Sequence, residues 1–121
     1  MTYSESFTFE DVIAHYEREL SAFQPRDKTV AEYSTLTDTV DVYVYGAKVA
    51  TMYRDGVVAL HVIDDLTNAT RSRINDFLEP LGWELRLDKK SGATKAHSRD
   101  VPEGVVLSKM PVFIESVRRS S

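Results

Sequence analysis

Two periodicities divide the chain. Apolar residues at Phe9, Val12, Ile13, Tyr16, Leu20 and Phe23 recur at helical spacing, which predicts an amphipathic helix from about Phe9 to Phe23. Thr8 with Asp11 three residues on is close to a capping box, and Phe7 with Val12 is placed as a hydrophobic staple. Glu10, Glu17, Arg18 and Glu19 occupy the solvated side, and Gln24-Pro25 ends the helix. Arg26 to Ala31 reads as a polar connection to a short strand near Glu32 to Leu36.

From Val40 to Ile63 the period becomes two, and two turn signals set a register. Gly46-Ala47 fits a two-residue hairpin loop with glycine leading, and Asp55-Gly56 fits the pair that a type I′ turn favours. Pairing outward places Tyr45 opposite Lys48 and Arg54 opposite Val57. Three antiparallel strands follow, with Val40, Val42, Val44, Val49, Thr51, Tyr53, Val58, Leu60 and Val62 on a core face. The other face carries Asp41, Tyr43, Tyr45, Lys48, Ala50, Met52, Arg54, Val57, Ala59, His61 and Ile63.

Beyond this meander, Leu66, Ala69, Thr70, Ile74, Phe77 and Leu78 form a second helical stripe, preceded by Asp64-Asp65 where a helix N-terminus favours acids. This predicts a helix from about Thr67 to Glu79, stopped by Pro80 and closed by Leu81-Gly82. Trp83, Leu85 and Leu87 alternate with Glu84, Arg86 and Asp88 as a strand with one buried face. Lys89 to Asp100 is polar throughout, suited to a long hairpin or loop, and Val105 to Leu107 and Val112 to Val117 are further strand candidates. The expected fold is a single α+β domain over residues 1–121: an antiparallel meander with two amphipathic helices.

Composition narrows the class. No apolar run approaches the ~20 residues of a spanning helix, and the N-terminus lacks the pattern of a signal peptide, so a cytosolic protein without membrane contact is expected. Zero cysteines remove disulfides and thiolate chemistry. Residues 1–66 hold 12 acidic and 5 basic side chains, net −7, whereas residues 67–121 hold 7 acidic and 10 basic, net +3. Such a dipolar chain can orient a partner or a second copy of itself.

The glycines all serve as turn or boundary residues, and none forms a nucleotide-binding loop. His61 beside Asp64 and Asp65 is the one grouping with the letters of a metal or acid/base site, a hydrolase reading that competes with simple helix capping. His97, Ser98 and Asp100 lack a nucleophile elbow, and His15 flanks an apolar stripe. The mixed sheet face is the stronger signal. Tyr43, Tyr45, Lys48, Met52, Arg54 and His61 combine aromatic area with cationic groups, a composition enriched in protein interfaces and also usable for base stacking. A helix lying over that face would instead make it a second buried layer. Arg71, Arg73, Lys89, Lys90, Lys95 and Arg99 are the candidate nucleic-acid contacts, against which stands a sequence pI near 5.3.

The stretch Tyr45-Gly46-Ala47-Lys48-Val49-Ala50-Thr51, then Asp55-Gly56-Val57-Val58-Ala59-Leu60 and Thr67 to Leu78 with its Arg73-Ile74-Asn75 step, resembles small hypothetical accessory proteins of actinobacteriophages. About a third of the chain is covered, and Ile63-Asp64-Asp65-Leu66 stands where that pattern carries Gly-Trp. The resemblance implies a small phage accessory protein that binds a host or phage macromolecule, and supplies no catalytic residues. The expectation is therefore a non-enzymatic, cofactor-free binder of a protein, with homodimerisation and nucleic-acid binding as alternatives.

Overall fold

A computed structural model of the chain describes residues 6–61, 66–106 and 112–115. Helix α1 (Phe9–Glu19) starts at the expected capping box: the Thr8 hydroxyl accepts from the Asp11 N–H at 3.2 Å while the Asp11 carboxylate accepts from the Thr8 N–H at 2.9 Å. It ends four residues earlier than the apolar spacing predicts. Leu20 turns left-handed (φ 53°) and caps the helix through its N–H to the Tyr16 carbonyl. Phe23 is thereby released to strand β1 (Phe23–Arg26), where its ring meets Phe7 edge-on at 5.6 Å. Pro25 is tolerated there because β1 is an edge strand.

A tight turn at Asp27 and Lys28 leads to β2 (Thr29–Ser34), so part of the expected polar connection is a hairpin. Strands β3 (Thr39–Val44), β4 (Ala47–Tyr53) and β5 (Val57–Leu60) continue the antiparallel meander, and β9 (Val112–Glu115) pairs with β5 to complete a six-stranded sheet of order β1-β2-β3-β4-β5-β9.

The register of β4 differs from the sequence-based expectation at both of its turns. The first loop is Tyr45-Gly46, with both residues left-handed (φ 52° and 82°), the pattern of a type I′ turn in which glycine comes second. Val42 then pairs with Ala50 and Tyr43 with Lys48, leaving Val49 as an extra, bulged residue. The second loop has three residues, Arg54, Asp55 and Gly56, with Gly56 at φ 92° and its N–H on the Tyr53 carbonyl. Each shift alone would turn a whole strand over, but the two act on the same strand. Consequently β3 and β5 keep Val40, Val42, Val44, Val58 and Leu60 in the core, while β4 buries Ala50 and Met52 and directs Thr51 and Tyr53 to the other side. The expected sites Val62, Ile63, Asp64 and Asp65 lie outside the described residues.

Helix α2 (Asn68–Leu78) is capped by Thr67, whose hydroxyl accepts from the Thr70 N–H at 3.1 Å. A 3-10 turn (Glu79–Leu81) with Pro80 near its start follows, and Gly82 (φ 88°) closes it. Ile74, Phe77 and Leu78 join Phe7, Phe9, Val12 and the sheet's inner face in one core cluster. The Phe7 N–H donates to the Asp76 carbonyl, and Arg26 pairs with the Asp76 carboxylate at 2.9 Å, holding α2 to the edge of the sheet.

Strands β6 (Trp83–Leu87), β7 (Thr94–Ser98) and β8 (Val105–Val106) make a second antiparallel sheet, so the polar segment after Leu87 is a hairpin. Leu85 and Ala96 extend the core. The Asn75 amide substitutes for a neighbouring strand: its Oδ1 accepts from the Leu85 N–H at 2.7 Å and its Nδ2 donates to the Leu85 carbonyl at 3.2 Å. Both backbone groups on that side of Leu85 are satisfied by α2, which fixes the small sheet to the helix. The result is a single α+β domain, with no described helix long and apolar enough to cross a membrane.

Candidate functional site

The large sheet has unlike faces. Its inner face meets the helices. Its outer face carries a cross-strand row of Glu32, Asp41, Thr51, Ala59 and Phe113, flanked by Val30, Tyr43, Lys48 and His61. The described helices pack their buried residues into the core on the inner side, while at the centre of the outer face Thr51 and Ala59 are themselves buried, at 8% and 1% exposure. Thr51 organises its centre: the hydroxyl donates to Asp41 Oδ1 at 2.9 Å and meets His61 Nε2 at 2.9 Å. An ionised carboxylate only accepts, so the threonine proton goes to Asp41 and the imidazole must donate to the threonine oxygen. Lys48 Nζ lies 3.8 Å from the same Asp41 oxygen.

Of the six residues expected on one binding face, Tyr43, Lys48 and His61 are there. Met52 is corrected to the core at 2% exposure, because the β4 register places it across from Val40 and Val58. Tyr45 and Arg54 sit in the turns at opposite ends of β4, and both engage helix residues. Arg54 donates two 2.7 Å hydrogen bonds to Asp38, which also accepts from the Tyr33 hydroxyl at 2.7 Å, and its guanidinium lies over the Phe9 ring. The Arg54 and Tyr33 hydrogen bonds hold the Asp38 carboxyl down to about 2, and the same aspartate raises the Tyr33 phenol above its ordinary value. This group is a clamp between two loops and α1.

Tyr45 is half exposed, with the Arg73 guanidinium 4.9 Å from its ring centre. It and Tyr43 line an open cavity of about 440 Å³ with Gln24, Asp27, Lys28, Val30 and Gly46. Phe113, 65% exposed on β9, belongs to the outer face and was missed by sequence reasoning. The alternation of Val112 and Ile114 with Phe113 and Glu115 is the signal that marks Phe113 for the wet side.

The expected basic patch does not assemble. Arg71 is 9% exposed and donates to the Leu66 carbonyl and to Asn68 Oδ1, closing the start of α2. Arg73 is held by Tyr45 and by the Asp27 and Ala69 carbonyls. Lys95 pairs with Asp88 at 3.2 Å. Lys89 and Lys90 are exposed in the β6–β7 turn, whereas Arg99 follows the far end of β7, a strand length of ~17 Å away. There Arg99 borders a cavity of about 330 Å³ with Trp83, Arg86 and His97.

His97 is structural: its Nδ1 bonds the Pro102 carbonyl at 2.9 Å, and a Cβ on Gly104 would meet its ring at 2.6 Å. The Ser98 hydroxyl accepts from the Val101 N–H instead of approaching His97 as a nucleophile. His15 bonds the Ser21 hydroxyl. Among the described residues no group of three His, Cys, Asp or Glu side chains is placed to hold a metal. A third cavity, about 340 Å³, lies between the first turn of α1, the β4–β5 loop and Pro80-Leu81. No protein-family model, curated protein or solved structure matches this chain.

Proposed function

We propose that this protein works by binding another protein through the outer face of its large sheet, without catalysis or a cofactor. The observation that carries the reading is Phe113, a large aromatic 65% exposed on the outer face of the sheet, with Tyr43, Lys48 and His61 across the same face. Aromatic anchors beside a few hydrogen-bonded charges are the composition of interface centres. Its resemblance to actinobacteriophage accessory proteins favours a modulator or inhibitor of a host or phage protein, acting in the host cytoplasm.

The immobilised chain should capture its partner from host lysate, and Tyr43→Ala with Lys48→Ala should abolish capture while far-UV circular dichroism and melting temperature stay close to wild type. Retained capture by that double variant contradicts the reading. Sedimentation of the same variant covers the case in which the partner is a second copy: a wild-type dimer should become a monomer.

A further inference from the structure

We infer that two copies of this chain associate about a two-fold axis at the Leu36 end of the large sheet, Leu36 of each copy entering the 340 Å³ cavity of the other. This contact goes beyond the protein-binding reading and does not rest on it. The first observation is a rigid apolar knob. Leu36 tops the β2–β3 turn at 96% exposure, and among the described residues no large apolar side chain is more exposed. The turn that carries it is braced. The Asp38 N–H donates to the Ser34 carbonyl at 2.8 Å, the Thr37 and Thr39 hydroxyls meet at 2.7 Å, and Tyr33 and Arg54 hold the Asp38 carboxylate. A knob fixed in advance loses little conformational freedom on docking, so more of its apolar burial appears as affinity.

The second observation is a cavity of matching chemistry. Phe9, Met52 and Val58, all buried, line it together with Val57, Pro80 and Leu81. Several of its polar groups are engaged within the fold: Thr8 in the capping box, Arg54 on Asp38, and the Asp55 carboxylate on the Val57 N–H at 3.1 Å. The cavity lies at the small end of ligand pockets, a size for one large side chain, and it offers that side chain apolar contact. Glu10 and Asp55 beside it oppose an acidic occupant, and the tip Thr35-Leu36-Thr37 carries no charge.

Placement selects a second copy as the occupant. The β2–β3 and β4–β5 turns lie at the same end of the antiparallel sheet, and Arg54 belongs to both neighbourhoods, lining the cavity and bonding Asp38 two residues from Leu36. Knob and cavity therefore share one surface at a fixed separation, the arrangement that a reciprocal two-fold contact requires. Leu20, the next most exposed large apolar residue described, ends α1 ~16 Å from the helix start that walls the cavity, and would instead link copies into an open chain. The contact is small, so association in the micromolar range is expected.

Sedimentation equilibrium at about 100 µM should give twice the 13.7 kDa chain mass and nothing larger. Leu36→Asp should weaken association at least ~tenfold, and should melt with wild type at dilutions where both are monomers, whereas Leu36→Met should keep the dimer. Tyr43→Ala with Lys48→Ala should keep it too, which separates this contact from the outer sheet face. With p-benzoylphenylalanine at position 36, an equal mixture of ¹⁴N and ¹⁵N chains should give adducts of mixed isotope, mapped to residues 52–58 or 80–81 of the second copy. Glu10 and Asp55 of both copies approach the axis, so raising salt from about 50 mM to about 500 mM should tighten the dimer. A monomer at about 100 µM, a dimer unaffected by Leu36→Asp, growth into larger species or release by salt overturns the proposal. Adducts mapping elsewhere overturn it as well, and so does loss of the dimer in the Tyr43 and Lys48 variant.

Discussion

Asp38 shows how a single side chain joins separate parts of the chain. It sits at φ 55° in the β2–β3 turn, accepts from Tyr33 on one strand and from Arg54 beyond another, and is held down to about 2 chiefly by the Arg54 hydrogen bonds. Its unfolded value is ~3.9. A depressed carboxyl contributes stability that is complete above the unfolded value and is lost as pH falls through the folded one. Asp38→Asn keeps the left-handed backbone accessible, so it should melt below wild type at pH 6, with the gap closing between about pH 4 and pH 2; thermal melts across that range provide the check. A gap independent of pH would mean that the ion pair is not its source. Thr29 offers the opposite case. It is fully buried, and among the described residues its hydroxyl has no hydrogen-bond partner. Thr29→Val keeps the shape and removes the orphan, so it should stabilise by about 1 kcal/mol and raise the melting temperature by ~3–5 °C.

At the scale of elements, the strands were legible and the loops that align them were less so. Valines at every second position of β3 identify a buried face whatever the register, which is why Val40, Val42 and Val44 fell correctly; Val58 and Leu60 of β5 fell correctly because the two one-residue shifts cancel across β4. Strand β4 reads Ala-Lys-Val-Ala-Thr-Met-Tyr and has apolar residues on both parities, so its orientation depended wholly on loop length. Gly46 fits the first position of one turn type and the second position of another, and Asp55-Gly56 fits a two-residue loop as well as the last two residues of a three-residue one. The bulge at Val49 has no local sequence signature at all. The distinction is measurable: Met52→Asp buries an unpaired carboxylate, several kcal/mol against a total stability of ~5–15, and should unfold the protein. Tyr53→Asp should keep a cooperative melt. The reverse outcome would restore the register expected from the sequence. The helices show a similar division. Thr8 and Asp11 fixed the start of α1, but its end was hidden because the apolar stripe runs on through Leu20 to Phe23, and only packing of Phe23 against Phe7 and His15 shows that the last apolar position belongs to a strand.

Over the whole molecule, the candidate site was half visible in the sequence. Tyr43, Lys48 and His61 stand out as polar or aromatic residues within a valine-rich run, whereas Phe113 joins them only through the pairing of β9 with β5, a contact more than fifty residues apart. The same long-range folding separates what composition had grouped: among the described residues, Arg71 closes the start of α2, Lys89 and Lys90 sit at a hairpin tip and Arg99 lies at the far end of β7, so these candidates do not form a single patch. We propose that the outer face of the large sheet is the surface that meets a partner. The most direct test is a photo-crosslinker placed at Phe113, compared with one at Leu20, a residue more exposed than Phe113 that ends α1 on the helix side. With p-benzoylphenylalanine at position 113 irradiation should give one covalent adduct of defined mass, lost when Tyr43→Ala and Lys48→Ala are added, and at position 20 it should give none. An adduct from position 20 alone, or equal adducts from both positions, would contradict the account.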